Sequence, residues 1–471
     1  MTPRTALPLL ACLASSLVAA CSGTTTPSPG STGAPSDPAT PPAATQPLPP
    51  DTVDPGGTGP QYDGDGFVVH EWGTNTIVVG SDGVMQRGLH HEEEDLPAFV
   101  YDRRKKGEIG TPADVKMETP VVYFYSPRPI QAHVQVQFPK GILTQWYPAV
   151  SSYWPPVFKD KGDPALDRSF PFTTPYCRDQ FAHVKDGRID WATIDVLGRE
   201  ARITPPEAPL DRFTWSHARA VAANPIAVKN VNTGGAKQPD QAENFLFYRG
   251  LGNFPLDVTI AAQAGAAGQD GGVTLKNTGG ARVGAVFVLR VEADRAAFVA
   301  RPEGIPAGAS LDEVAPKATQ PLDAYANDLA KAMVAELDRG GLFHDESISM
   351  VKTWARQWFR TPGVRVLYMN PQQATEAQIP LTIDPRPAKV VRQMVIRVEV
   401  ITRAEEAVDV ERVKAFDAPG GTSRAHFDAL GRFAEPRLRR ALGLAAAAAP
   451  KSAHAYLDTI ATADVSSRAG E

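Results

Sequence analysis

Alternation in two segments, strict in the first, does most to limit the folds open to this chain. In "AHVQVQF" (132–138) Val134, Val136 and Phe138 point one way, while His133, Gln135 and Gln137 point the other. The same period returns in "VVRQMVIRVEVIT" (390–402), where Met394, Ile396, Val398 and Val400 oppose Gln393, Arg397 and Glu399. A strand with one apolar face needs a second layer to cover it. Further β-prone runs are "GFVVHEW", "TNTIVVG", "METPVVYFYS", "GILTQWYPAV", "NFLFYRG" and "ARVGAVFVLRVEA", separated by Gly, Pro and Asn turns. A hydrophobic content of 42% supplies a sizeable core. The expected fold class is α+β: a β-rich sandwich or partly closed barrel with a helical pair and a mixed C-terminal part.

After about residue 305 the period lengthens. Leu322, Tyr325, Leu329, Met333 and Leu337 recur at helical spacing behind Pro321, and Gly340-Gly341 ends the run. A second helix is predicted over 345–360, with Ile348, Val351, Trp354, Ala355, Trp358 and Phe359 on one stripe, stopped by Thr361-Pro362-Gly363. The expected organisation is 1–20 signal peptide, 21–62 tether, 63–305 β-rich domain and 306–445 helix pair, strands and C-terminal helices. A polar tail, 446–471, follows.

The N-terminus states where such a chain travels. "MTPRTALPLLACLASSLVAAC" places Arg4 before about 16 largely apolar residues, short of the ~20 that span a bilayer. Its end, Val18-Ala19-Ala20-Cys21, resembles a bacterial lipobox. That resemblance implies diacylglyceryl transfer to Cys21, cleavage before it and N-acylation, and more than one acyl chain gives a stable anchor. Ser22 in place of aspartate favours the outer membrane over the inner. Cys12 leaves with the signal, so Cys177 has no partner for an intrachain disulfide and reads as a buried thiol. From Ser22 to about Gly59 the sequence is Ser, Thr, Pro, Gly and Ala with almost no large apolar side chain, which reads as a disordered tether. Its deletion is therefore expected to leave stability unchanged.

Chemistry-bearing residues are few. The formal charge is −5, with both signs mixed, and gives no reason to bind nucleic acid. Walker A, Rossmann, CxxC and GxSxG patterns are absent. "VHEWGT" sets His70 beside Glu71, but strand neighbours face opposite ways unless the strand ends or bulges near Gly73. The expectation is a strand end with Trp72 in the core. "LHHEEEDLP" groups His90 and His91 with four acids, and reads as a solvated loop. His70, Glu71 and Glu118 are the catalytic candidates, and His70, His90 and His91 the candidate ligands of a divalent metal. No other cofactor is predicted. Arg219 and Arg249 read as members of internal ion pairs, with support of Glu71 or Glu118 as the alternative. Trp146, Tyr147, Tyr153 and Trp154 form a candidate stacking surface, with core packing as the alternative.

Together "VHEWGTNT", "KMETPVVYFYSP", "GILTQWYP", "ENFLFYRGL", "MVKTWARQWF" and "GRFAEPRLRRAL" resemble a group of uncharacterised bacterial envelope proteins whose folded part opens with HEWGT-type segments. The resemblance implies one integrated body and carries no activity. The functional expectation is an envelope lipoprotein that acts by binding or scaffolding. Its partners would be the membrane, through Cys21, and a glycan or an envelope protein. The alternative is a metal-assisted envelope hydrolase using His70, Glu71 and the His90/His91 loop.

Overall fold

The computed structural model describes residues 53–89, 91–92, 96–103, 113–154, 186–207, 214–265 and 270–462. The strands begin with β1 (Val68–Val79), β2 (Tyr101–Asp102), β3 (Val115–Tyr125), β4 (Ile130–Phe138), β5 (Gly141–Tyr147), β6 (Ser152–Trp154) and β7 (Gly187–Val196). Next come β8 (Ile226–Val228), β9 (Asn232–Thr233), β10 (Ala236–Lys237), β11 (Gln241–Glu243), β12 (Leu246–Gly252), β13 (Val258–Ala264) and β14 (Asp270–Asn277). The last are β15 (Val286–Val291), β16 (Arg295–Arg301), β17 (Ser310–Glu313), β18 (Gln320–Pro321), β19 (Gly363–Asn370), β20 (Leu381–Asp384) and β21 (Lys389–Val400). The helices are α1 (Thr214–Arg219), α2 (Leu322–Arg339), α3 (His344–Arg360), α4 (Gln372–Gln378), α5 (Arg403–Lys414), α6 (Thr422–Asp428), α7 (Ala434–Ala445) and α8 (Lys451–Thr462).

Ten strands form an open sheet in the order β18-β16-β15-β19-β21-β1-β3-β12-β5-β2. A second sheet runs β11-β8-β7-β4-β20, with β6 beside β7, and a third runs β13-β14-β17. The alternation of β4 gives its geometry: Ala132, Val134, Val136 and Phe138 are buried, and the residues between them are not. Their core also contains Val69, Ile77 and Val79 from β1 and Met394, Ile396, Val398 and Val400 from β21. This is the interior of the sandwich. The other face of the large sheet is covered by the helix pair, where Val68 and Trp72 meet Leu329, Met333, Trp354 and Trp358. The α+β sandwich class is therefore the observed one, with open sheets and no closed barrel.

β1 sits near the middle of this arrangement, and all twelve of its residues are buried. It pairs parallel with β21 and antiparallel with β3. "GFVVHEW" and "TNTIVVG", read separately from sequence, are one strand. The break expected at Gly73 is a register shift against β3 between Trp72 and Thr74, while pairing with β21 runs unbroken. Thr119 opposite has φ +49°, and a Cβ on Gly73 would come within 2.8 Å of Pro120 Cα. Only glycine allows that approach.

The helix pair follows its sequence signals closely. α2 starts after Pro321 and is capped by Gly340, and α3 ends at Thr361. Strands β19 and β21, expected to pack on the body, are built into its main sheet beside β1 and β15, so the boundary near 305 falls within one unit, Leu48–Glu471. Two segments read as polar coil contribute to cores. Val53 is buried against the helix-pair side, the Asp54 N–H donates to Asn327 Oδ1 (2.8 Å), and His344 N–H donates to Pro60 O (2.8 Å). In the C-terminal tail, α8 buries Ala453, Tyr456 and Ile460 against α7. Cys21 and Cys177 lie outside the described residues.

Candidate functional site

A fully buried strand with polar side chains must supply each of them with a partner. On β1, His70, Glu71, Thr74 and Thr76 find such partners and Asn75 does not, and three of these contacts involve the catalytic candidates His70, Glu71 and, through Thr76, Glu118. His70 and Glu71 point to opposite faces of the sheet, as strand geometry requires.

His70 points to the helix side. Its Nδ1 lies 2.6 Å from Glu346 Oε2, an oxygen that also accepts the Phe343 N–H at 2.7 Å. Glu346 thus closes the first turn of α3, where a carboxylate satisfies an orphan N–H and opposes the helix dipole. The imidazole packs against Phe343 (4.4 Å between centroids) and Tyr125 (5.4 Å). Both His70 and Glu346 are fully buried, and His70 Nε2 and Glu346 Oε1 lack a hydrogen-bond partner. Burial, and then the Glu346 charge, push the Tyr125 hydroxyl well above its ordinary pKa.

Glu71 points into the sandwich. Arg392 Nε donates to its Oε2 at 2.6 Å, and the Tyr248 hydroxyl donates to its Oε1. Arg392 Nη1 also donates to Ile379 O at 2.7 Å. Burial by itself would lower the pKa of Arg392, but the Glu71 carboxylate raises it. Burial and the same carboxylate push Tyr248 well up. This is an ion pair locked by geometry, with no group left poised to transfer a proton.

Glu118, on β3, lies beneath the C-terminal helices. Arg432 Nη1 donates to Oε1 at 2.5 Å, and Thr76 Oγ1 donates to Oε2 at 2.5 Å. Burial would raise its pKa, but Arg432, Lys116 and Arg249 together bring it down to about 2. The Arg432 guanidinium and that of Arg397 both lie over the Phe433 ring, at 5.0 and 5.4 Å. Arg397 and Arg365 share Glu399, whose pKa falls to about 2 against the effect of burial. Arg365 Nη1 donates to Trp358 O at 2.5 Å and so ties the end of α3 to the sheet.

The histidine-rich loop departs from the solvated reading where it is described. His91 is buried, with Nε2 3.0 Å from Ile460 O on α8. Glu92 is buried between Lys116 Nζ and Arg249 Nη1, each at 2.9 Å. His90 lies outside the described residues, as do Glu93, Glu94 and Asp95. His70 and His91 therefore contact different elements, α3 and α8. Among the described residues no group of three or more His, Cys, Asp or Glu could hold a metal ion. Arg219 and Arg249 are in internal ion pairs, with Glu243 at 2.6 Å and with Glu92 at 2.9 Å; Arg249 also lowers the pKa of Glu118 by its charge, while the direct partners of Glu71 and Glu118 are Arg392 and Arg432.

The aromatic segment divides. Trp146 and Tyr147, at 3% and 1% exposure, belong to the cores and offer no surface. Tyr153 is half-buried against Trp146 (4.9 Å), with the Arg103 guanidinium over its ring. Trp154 alone of the four is exposed, at 42%. An open depression of about 410 Å3 between α5 and α7, lined by Ser81, Arg403, Glu406 and Leu444 among others, contains none of the candidates.

Neither a family model nor a curated protein sequence matches the chain. Among solved structures it is similar to the yeast delta-COP-I mu-homology domain complexed with a Dsl1 WxWxV peptide, at 8% identity and a TM-score of 0.25. That match covers 71% of this chain and 98% of the other, at a score below that of a shared fold.

Proposed function

We propose that the chain is a bacterial envelope lipoprotein, anchored through Cys21 with the outer membrane as destination, whose folded body acts by binding or scaffolding. One observation carries the choice of binding over catalysis. His70, Glu71 and Glu118 occupy three separate buried nests, each already engaged by a charged partner within 2.6 Å. A hydrolase built on His70 and Glu71 would need both side chains on one face of β1, and they lie on opposite faces of a continuous strand. Among the described residues no helix is long and apolar enough to cross a membrane, so the lipid on Cys21 is the anchor this reading relies on.

Two measurements test the reading. Cell fractionation of the Cys21→Ser chain should move it from the membrane pellet to the soluble fraction, and retention after a salt wash would contradict the anchor. The full chain in detergent should show saturable retention on isolated envelope preparations, equally for the wild type and for His70→Asn. No saturable retention of the wild type would contradict the binding reading.

A further inference from the structure

The segment that leads into β1 is attached to the helix pair at few points. Residues 53–60 contain neither helix nor strand, and only Val53 and Pro55 of the eight are buried. Val53, at 4% exposure, sits in the helix-side core. Among the described residues two hydrogen bonds join the segment to the helices. The Asp54 N–H donates to Asn327 Oδ1 on α2 (2.8 Å), and the His344 N–H at the start of α3 donates to Pro60 O (2.8 Å). Between them the backbone lies directly on a side-chain pair. His344 Nδ1 is 2.8 Å from Asp338 Oδ2, and a Cβ on Gly59 would fall 2.5 Å from that oxygen and 2.7 Å from that nitrogen. The chain is held more firmly just beyond. The Tyr62 ring packs on Tyr125 (5.4 Å) and Phe343 (6.2 Å), and the Arg199 guanidinium lies over it. At Phe67 the backbone joins the sheet, where its carbonyl accepts the Ala388 N–H (2.7 Å).

We propose that residues 53–60 are a detachable strap, which lifts from α2 and α3 as one unit while the body stays folded, with Tyr62 as its fixed point. Two buried side chains and two hydrogen bonds stand against the ordering entropy of eight residues. Three of the eight are glycines, which lose the most backbone freedom when fixed. Docking is therefore favoured by a small margin, and the strap belongs to the low-stability end of the structure, where segments open without global unfolding. The helices keep their own cores when it lifts. Leu329, Met333, Trp354 and Trp358 pack against Val68 and Trp72 of β1, and not through the strap alone. The functional consequence rests on the anchoring reading above. A released strap adds its eight residues, up to about 26 Å, to the chain between the lipid on Cys21 and the body, and so sets how far the body reaches from the membrane.

The test is amide hydrogen exchange, followed by NMR, on the full chain in detergent. The Asp54 and His344 amides report the two strap bonds. Met333 in the α2 core reports global opening, and Ser347, whose N–H donates to Phe343 O, reports fraying of the first turn of α3. In the wild type the two strap amides should exchange at least about 100-fold faster than Met333. Val53→Ala should speed both by about tenfold and leave Ser347 and Met333 unchanged. Strap amides as slow as Met333 overturn the proposal. So does a Val53→Ala effect that is absent, or one that reaches Ser347 and Met333 equally. The anchor is judged separately. Cys21→Ser protein that stays in the membrane pellet rejects the anchoring reading whatever the exchange pattern, whereas a failed exchange pattern rejects the strap and leaves the anchor standing.

Discussion

Protonating or neutralising Glu118 should loosen the C-terminal helices from the main sheet, and the size of the effect follows from its surroundings. The carboxylate is buried, with Arg432 and Thr76 both at 2.5 Å, and its pKa is brought down to about 2 from an ordinary value near 4.5. A carboxylate with a depressed folded pKa adds stability that is fully present above its unfolded pKa and is lost as pH falls through the folded one. The window is therefore from about pH 4.5 down to about pH 2. A folded pKa of about 2 against an ordinary 4.5 corresponds to about 3 kcal/mol, and removing one charge of this buried ion pair by Glu118→Gln costs about 3–5 kcal/mol. For a unit of about 420 residues melting at roughly 2.1 cal/mol/K per residue, that is a drop of about 3–6 °C at neutral pH. Differential scanning calorimetry of wild type and Glu118→Gln from pH 7 to pH 2 measures it. The gap should close toward pH 2, where the wild-type carboxyl is itself becoming neutral. Equal melting temperatures at pH 7, or a gap that persists at pH 2, would refute the reasoning.

Other outcomes follow from the same packing. Trp72→Ala, in the helix-side core, should cost about 3–5 kcal/mol by cavity formation, far more than His70→Asn, as measured by urea unfolding. Arg392→Met should destabilise by about 3–5 kcal/mol by leaving Glu71 charged and unpaired in the sandwich, and adding Glu71→Leu should recover most of that loss. Deleting Ser22–Gly59 should lower the melting temperature, because it removes Val53 from its core and the Asp54–Asn327 hydrogen bond. An unchanged melting temperature would mean that this segment adds nothing to the body.

What the sequence made legible was local. The alternation in β4 and the Pro321 and Gly340 signals around α2 act over a few residues, and the structure follows them. The partners of the candidate residues were beyond reach because nothing local marks them. Glu71 meets Arg392 321 positions away and Tyr248 177 away; His70 meets Glu346 276 away, and Glu118 meets Arg432 314 away. Only the pairing of β1 with β21 and β3, and the docking of the helices, brings them together. Trp146 and Tyr147 were open to a surface and to a core reading because prolines surround them, and the place of β5 inside the large sheet puts both rings into cores. The spacing of Ala453, Tyr456 and Ile460 was a readable helical stripe hidden by the polar residues around it. Val53 shows the opposite limit, since one apolar side chain in a Pro/Gly-rich run carries no periodic signal and still seats the segment.

The central claim is that His70 and Glu71, held by Glu346 and Arg392 on opposite faces of β1, serve the fold, and the proposal that follows is that His70 is not a metal ligand. Metal analysis of the purified, tag-free full chain, wild type against His70→Asn, tests it most directly. The account predicts no stoichiometric ion in either protein. One ion per chain in the wild type that disappears in His70→Asn would contradict it and favour the metal-assisted hydrolase.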